Sequence, residues 1–311
     1  MEALGGTVRS RVLTGVGSSF LVELATGLHA HPCRGGPHPA DRPLPLTRRS
    51  ASFDSSRDLW HAARVRVALF VPCYIDQLWP RAALAAVRVL ERHGVEVAFP
   101  EEQTCCGQPM SNAGVSAAAE PLARRFLEIF GGFEAVVCPS GSCTSMVRNH
   151  YDPFLAGAPG FANLKSRTYE LCEFLVDVLG VKAAQGRFAH RVALHQSCHG
   201  LRELGLGTPS ELLLPRTNKV EGLLKSLAGI ELVPLARPDE CCGFGGTFAI
   251  AEEAVSAFMG RDRIADHARA GAEIVTGTDV SCLMHLEGLA RREKSPLRFM
   301  HVAEVLAEAQ P

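Results

Sequence analysis

From about residue 64 onward, short apolar runs alternate with longer amphipathic stretches. Arg66 to Val71 is an apolar, partly β-branched run closed by Pro72-Cys73, the mark of a strand buried on both faces. Gln77 to His93 then sets Leu78, Ala82, Ala85, Val89 and Leu90 at roughly helical spacing, with Gly94 as the stop. Val95–Phe99 reads as the next strand. A helix is expected from about Asn112 to Phe130, ended by Gly131-Gly132, and Glu134–Val137 reads as a third strand. Tyr169–Leu179 is amphipathic, and Ala184–Arg191 is a polar connector.

After that connector the pattern restarts. Strand Val192–His195, a helix over roughly Glu211–Leu227, strand Ile230–Leu235, a long helix over about Phe248–Ala270 and strand Glu273–Val275 follow one another. Leu297–Val302 reads as a last strand, with Ala303–Ala309 helical. Alternation of strand and helix with short connections predicts an α/β fold, internally duplicated into two parallel-sheet halves. The expected division is an extension at residues 1–63, a first cysteine-rich domain at 64–183 and a second at 184–311.

Cysteine marks the repeat more sharply than hydrophobicity does. Thr104-Cys105-Cys106-Gly107-Gln108-Pro109 is echoed by Glu240-Cys241-Cys242-Gly243-Phe244-Gly245. Cys73 precedes the first motif at a strand end, as Cys198 precedes the second; Ser142-Cys143 and Ser281-Cys282 follow them after the third strand of each half. All of these positions come after strands, so they are expected at the carboxyl edge of each sheet, where open α/β sheets place ligands. Adjacent cysteines pair poorly with each other, because a trans peptide fixes their Cα atoms about 3.8 Å apart. The glycine that follows allows positive φ and lets the backbone wrap closely around a bulky centre. One vicinal pair could simply be two small hydrophobes; two pairs in matching surroundings argue for ligation.

The composition is globular, with 47% hydrophobic and 21% charged residues, and the net charge of −1 gives no reason to expect nucleic acid or an anionic membrane as partner. There is no apolar run long enough to span a bilayer. Eleven cysteines, clustered in pairs unsuited to disulfides, point to metal ligation in a reducing compartment, hence the cytoplasm. Residues 1–63 read differently: His31-Pro32-Cys33-Arg34-Gly35-Gly36-Pro37 is rich in breakers, and the mildly apolar Val12–Leu28 is interrupted by Gly15, Gly17, Ser18 and Ser19. That segment is expected to be a disordered or artefactual extension, and Cys33 has no role in this reading.

Each half thus offers four thiols: Cys73, Cys105, Cys106 and Cys143, then Cys198, Cys241, Cys242 and Cys282. Four thiolates suit either a Cys₄ zinc site or an iron–sulfur cluster. Zinc sites are commonly built from two Cys-x-x-Cys knuckles, which neither half has, and vicinal ligands sit awkwardly on one tetrahedral ion. Vicinal thiolates on two irons of one cluster do not. Cys172 reads as a buried small residue, Cys138 as a competitor of Cys143, and His199 and His285 as neighbours of the ligands. Gly243-Phe244-Gly245-Gly246 lacks dinucleotide-loop spacing. No nucleophile–base couple or carboxylate pair marks a catalytic site, so the chain is not expected to be catalytic alone.

These motifs resemble the cysteine-rich domain family shared by the cysteine-rich subunit of heterodisulfide reductase, the iron–sulfur subunit of glycolate oxidase and lactate utilization protein A, the last most closely. The resemblance rests on Phe70-Val71-Pro72-Cys73-Tyr74-Ile75-Asp76, Cys105-Cys106-Gly107-Gln108-Pro109 and Pro139-Ser140-Gly141-Ser142-Cys143. In the second half it rests on Ser197-Cys198-His199, Cys241-Cys242-Gly243-Phe244-Gly245-Gly246-Thr247-Phe248, Cys282-Leu283-Met284 and His301-Val302-Ala303-Glu304-Val305-Leu306. It implies a cytosolic electron-transfer subunit with up to two [4Fe–4S] clusters on the eight cysteines. Such a subunit would work with two partner subunits that oxidise L-lactate to pyruvate. Reductase-type halves end in Cys-x-x-Cys; here Cys143-Thr144-Ser145-Met146 and Cys282-Leu283-Met284-His285 lack the fifth cysteine, which argues against disulfide reductase chemistry. The rivals are a glycolate-oxidase-type or heterodisulfide-reductase-like subunit and, from another class, a zinc-bound structural module.

Overall fold

The computed structural model describes residues 66–309; the 1–63 extension and Cys33 lie outside them. Strands β1 (Arg66–Leu69), β2 (Glu96–Ala98), β3 (Ala135–Cys138) and β4 (Thr168–Glu170) form one parallel sheet in the order β2-β1-β3-β4. Strands β5 (Arg191–Leu194), β6 (Glu231–Leu232), β7 (Ile274–Gly277) and β8 (Arg298–His301) form a second in the order β6-β5-β7-β8. The two orders are the same once each half is counted from its own first strand, and the register repeats: Val67 pairs with Ala135 as Val192 pairs with Ile274. The expected duplicated α/β architecture is therefore present.

In the first half β1 leads into α1 (Cys73–Leu78) and α2 (Pro80–Arg92), β2 into α3 (Gln108–Asn112) and α4 (Ser116–Phe130), and β3 into α5 (Gly141–Asn149). The second half repeats this with a π-helical turn at His199–Glu203, then α6 (Lys219–Lys225), α7 (Glu253–Arg269) and α8 (Val280–Arg292); α9 (Val302–Glu308) closes the chain. The strand interiors, Val67 to Phe70 and Ala135 to Cys138, are almost wholly buried, as continuous apolar runs require in a covered parallel sheet.

The helices expected over Gln77–His93 and Phe248–Ala270 each break once, at Trp79 and at Glu252, and other elements differ further from the sequence expectation. The helix expected over Glu211–Leu227 shrinks to α6, because Pro215 breaks it, Leu213 turns at φ 54° and Asn218 starts it anew by accepting from Glu221 N at 2.8 Å. The helix expected over Asn112–Phe130 divides at Gly114, whose φ is 76°. The start of the Tyr169–Leu179 stretch is strand β4, three residues that pair with β3 through Val136 and Thr168.

The halves exchange their closing helices. Arg92 on α2 hydrogen-bonds the carbonyls of Leu306 and Ala307 at the end of α9, and Trp79 Nε1 donates to Glu304 at 2.7 Å. The helical segment Leu171–Val178, which ends the first half, ion-pairs with α6 of the second through Asp177 and Lys219. Glu170 and His301 cap these two segments from equivalent positions, each in a reciprocal capping box with Glu173 or Glu304. The exchange fastens the two carboxyl edges over a common cleft.

Candidate metal centres

The loop after β2 is tied to β1 before it delivers its cysteines. Gln103 accepts from Val71 N at 2.7 Å and donates to Leu69 O at 3.2 Å, and Tyr151 holds the Cys106 carbonyl at 2.9 Å. Gly107 and Gly243 then turn at φ 84° and 89°. That turn points the Gly107 N–H at Cys105 Sγ (3.4 Å) and the Gly243 N–H at Cys241 Sγ (3.3 Å), while Phe244 N–H points at Cys242 Sγ (3.4 Å). Amides aimed at sulfur favour the thiolate, the form that binds metal.

The remaining cysteines close each set. Cys73 starts α1 and places Sγ 3.6 Å from Cys105 Sγ; Cys143, in the first turn of α5, places Sγ 3.4 Å from Cys106 Sγ. In the second half Cys198 faces Cys241, and the Cys242 and Cys282 sulfurs lie within 4.8 Å of each other. Cys105 is held far below the ordinary thiol range by the hydrogen bonds from Cys106 and Cys73, and Cys241 likewise by those from Cys198 and Cys242. Cys73, Cys106, Cys198 and Cys242, which share their protons with those thiolates, are pushed up. Cys105 and Cys241 are the positions in each set that most favour the thiolate. Four would repel one another, so ionising a full set requires a cation among the sulfurs.

All eight ligand candidates therefore fall into two sets of four, and seven of them line a single cleft of about 150 Å³ between the halves. Cys138 and Cys172 do not join: Cys138 Sγ turns to Ser140 O at 3.7 Å, and Cys172 is wholly buried beyond β4. His199 contacts Gln108 at 3.3 Å, and His285 faces Ser256 O at 3.4 Å. The donor set fits a thiophilic centre in each half, and no carboxylate enters either set.

Two features of the site escape sequence reasoning. Asp279, which precedes α8, reaches across the cleft and accepts from Ser140 Oγ (2.8 Å), Ser142 N (2.9 Å) and Ser142 Oγ (2.7 Å). It occupies the place that Ser140 holds in the first half, a correspondence that Ser142-Cys143 and Ser281-Cys282 already offered. His195 is the other. Its ring is 2% exposed without a hydrogen-bond partner at either nitrogen, and a ring nitrogen and the sulfurs of Cys242 and Cys282 lie within 4.8 Å of one another. Burial pushes its pKa down to about 4, so the imidazole is neutral at pH 7.

Among the described residues no helix is long and apolar enough to cross a membrane. The cysteine-rich domain family model matches the chain twice, at residues 67–148 and 192–287. The chain is 37% identical over 248 residues to lactate utilization protein A 2 of Bacillus cereus, covering 78% of this chain and 98% of that protein. It is 37% identical over 246 residues to lactate utilization protein A of Halalkalibacterium halodurans, covering 78% and 96%. A solved structure described as an Asp/Glu racemase from Yersinia pestis aligns over 78% of this chain and 96% of its own at 11% identity, with a TM-score of 0.31, too low to carry an argument. Two copies of the cysteine-rich domain and close identity along nearly the whole of these relatives place the chain plainly: it belongs to the lactate utilization protein A family of cysteine-rich domain proteins.

Proposed function

We propose that this chain is the iron–sulfur electron-transfer subunit of a cytoplasmic complex that oxidises L-lactate to pyruvate. Cys73, Cys105, Cys106 and Cys143 would hold one [4Fe–4S] cluster, and Cys198, Cys241, Cys242 and Cys282 a second. The observation that carries the reading is the meeting of two four-thiol sets at one cleft in a chain whose relatives are named for lactate utilization. Clusters of this kind, when bound, supply one-electron transfer, and removing two electrons and two protons from lactate calls for electron carriers. The chain's own groups do the rest of the work assigned here. The amides of Gly107, Gly243 and Phe244 stabilise the ligating sulfurs, and the exchanged helices fix the distance between the sets.

The division into a 64–183 and a 184–311 unit belongs to the same proposal. So do the two partner subunits, which would bring the hydroxy-acid site and the final acceptor. Ile250 and Phe258, 84% and 70% exposed beside the second Cys-Cys-Gly loop, offer an apolar face for one of them. The rival with an observation in its favour is zinc. Sulfur separations of 3.4 and 3.6 Å are near the ~3.8 Å of thiolates on one tetrahedral zinc with ~2.3 Å bonds. Against it stands the vicinal pair in each set, which strains a single tetrahedral ion.

The functional test is lactate-dependent dye reduction by the chain mixed with its partner subunits. Activity of the mixture, none from the chain alone and loss on Cys106→Ser or Cys242→Ser would support the reading. Lactate oxidation by the lone chain, or full activity from a folded variant lacking a set, would refute it.

A further inference from the structure

The two centres are lined differently, by substitutions at equivalent positions. Phe70 stands three residues before Cys73 and His195 three before Cys198. Ala119 lies over Gly107 as Ser256 lies over Gly243. Seven and eleven residues further along those helices come Phe126 and Phe130 in the first half, Arg263 and His267 in the second. Three residues after the last cysteine of each set come Met146 and His285.

The geometry follows this correspondence. Phe70 meets Phe130 edge-on with centroids 5.6 Å apart at 72°, and His195 meets His267 edge-on at 5.9 Å and 75°. Phe70, Phe126, Phe130 and Met146 belong to one apolar cluster with Cys106 and Cys143. In the second half the corresponding positions carry imidazole and guanidinium, and the His195 ring reaches within 4.8 Å of the Cys242 and Cys282 sulfurs. His195, His267 and Arg263 are each at most 2% exposed, and the two imidazoles have no partner at any ring nitrogen. Arg263 is matched by buried Asp266 at 3.2 Å, so the pocket is polar without a large net charge. Unpaired imidazole nitrogens in a dry core cost free energy unless something accepts from them.

We propose that His195 donates its ring N–H to a ligating sulfur of the second centre, that of Cys242 or Cys282, and so makes this centre the more oxidising of the two. The inference rests on the two-cluster reading above. A hydrogen bond to a cysteine sulfur withdraws charge from the cluster and favours the reduced state, which carries one more electron. The first centre faces Phe70 at that position and receives no such bond. His267, edge-on behind His195, fixes the ring's orientation. His195 is thus a positioning and tuning residue, and the asymmetry gives the pair of centres a direction: an electron shared between them rests in the second half.

The experiment is a potentiometric titration of the anaerobically purified protein followed by electron paramagnetic resonance, with the Cys106→Ser variant used to assign the signal of the second centre. Two midpoints are expected in the wild type, the higher one belonging to the second half. His195→Phe, which copies the first half, should lower that midpoint selectively and leave the first centre and the iron content unchanged. His195→Gln, which keeps an N–H donor, should restore most of the shift and covers the case in which His195→Phe does not fold. Equal wild-type midpoints, or a second midpoint indifferent to both variants, overturn the inference while the two-cluster reading stands. Strong nitrogen coupling from protein labelled with ¹⁵N-histidine would also overturn it, since that is the signature of direct ligation. A wild-type protein with no iron overturns the underlying reading itself.

Discussion

Ser142 of the first half gives both its backbone N–H (2.9 Å) and its hydroxyl (2.7 Å) to one carboxylate oxygen of Asp279 in the second half. The bond crosses from the first turn of α5 to Asp279, which precedes α8 as Ser140 precedes α5. Ser140 caps its own helix through Cys143 N, whereas Asp279 leaves its own helix uncapped and satisfies its neighbour's. Both residues are buried, so the contact is a joint of the cleft and not a surface ornament.

Asp279→Ala should therefore loosen the cleft. It strands Ser140 and Ser142 donors in a dry interface, and hydrogen bonds to charged groups contribute about 1.5–3 kcal/mol each. A loss of about 3 kcal/mol in the denaturant unfolding of the metal-free protein is expected, together with lower iron retention in the first half. Asp279→Asn, which keeps an acceptor, should lose less. Equal stability of Asp279→Ala and wild type would remove Asp279 from this role.

The two glycines of the Cys-Cys-Gly motifs should not tolerate replacement equally. A Cβ at Gly243 would lie 2.6 Å from Ser256 O and 2.8 Å from Met259 Cβ, while one at Gly107 would meet Ala119 Cβ at 3.3 Å. Both positions also carry the left-handed strain of about 1–2 kcal/mol for a non-glycine residue. Gly243→Ala should empty the second set and Gly107→Ala only weaken the first, read from iron per chain. The opposite ranking would show that the backbone relaxes around Ser256.

Equivalent caps give opposite pH dependences. Burial raises the Glu170 carboxyl to about 8, so between about 4.5 and 8 the folded state binds more protons than the unfolded one and stability falls as pH rises. Burial lowers His301 to about 4, so between 4 and 6.5 the folded state binds fewer, and stability falls as pH drops. Glu170→Gln keeps an oxygen for the Cys172 and Glu173 N–H groups and has no proton to lose. At 1.36 kcal/mol per pKa unit it should stabilise the metal-free protein by about 4 kcal/mol at pH 8, with the gain nearly gone at pH 4.5. Thermal melts at the two pH values test this; a destabilised variant at pH 8 would contradict it.

Cys143 and Cys138 compete for one place in the first set. Cys143 Sγ lies 3.4 Å from Cys106 Sγ, whereas Cys138 Sγ turns to a backbone carbonyl. Cys143→Ser should cost the first half its metal, and Cys138→Ser should leave metal content intact, both measured by metal analysis of folded protein. The reverse pattern would assign the ligand to Cys138.

The parts of this architecture legible in the sequence were those set by local rules. Arg66–Val71 and Val192–His195 read as strands because buried parallel strands are continuously apolar, and the repeat of Cys105-Cys106-Gly107 as Cys241-Cys242-Gly243 in matching surroundings reveals the duplication. Pro215 and Gly114 stand inside the helices expected over Glu211–Leu227 and Asn112–Phe130, where apolar spacing continues across the break and conceals it. Strand β4 stayed hidden because three residues give no alternation to count. The exchange of Leu171–Val178 and α9 between halves, and the bond from Ser142 to Asp279, depend on long-range packing that no window along the chain contains. The polar wall of the second centre was present as letters, His195 against Phe70, but became meaningful only when His267 and Arg263 were seen to stand where Phe130 and Phe126 stand.

We propose that each half holds an iron–sulfur cluster on its four cysteines. Iron and acid-labile sulfide analysis of anaerobically purified protein, with its visible spectrum before and after dithionite, tests it most directly. Two [4Fe–4S] clusters predict about eight irons and eight sulfides per chain and a brown absorbance that bleaches on reduction. A colourless protein carrying stoichiometric zinc and no sulfide would contradict it.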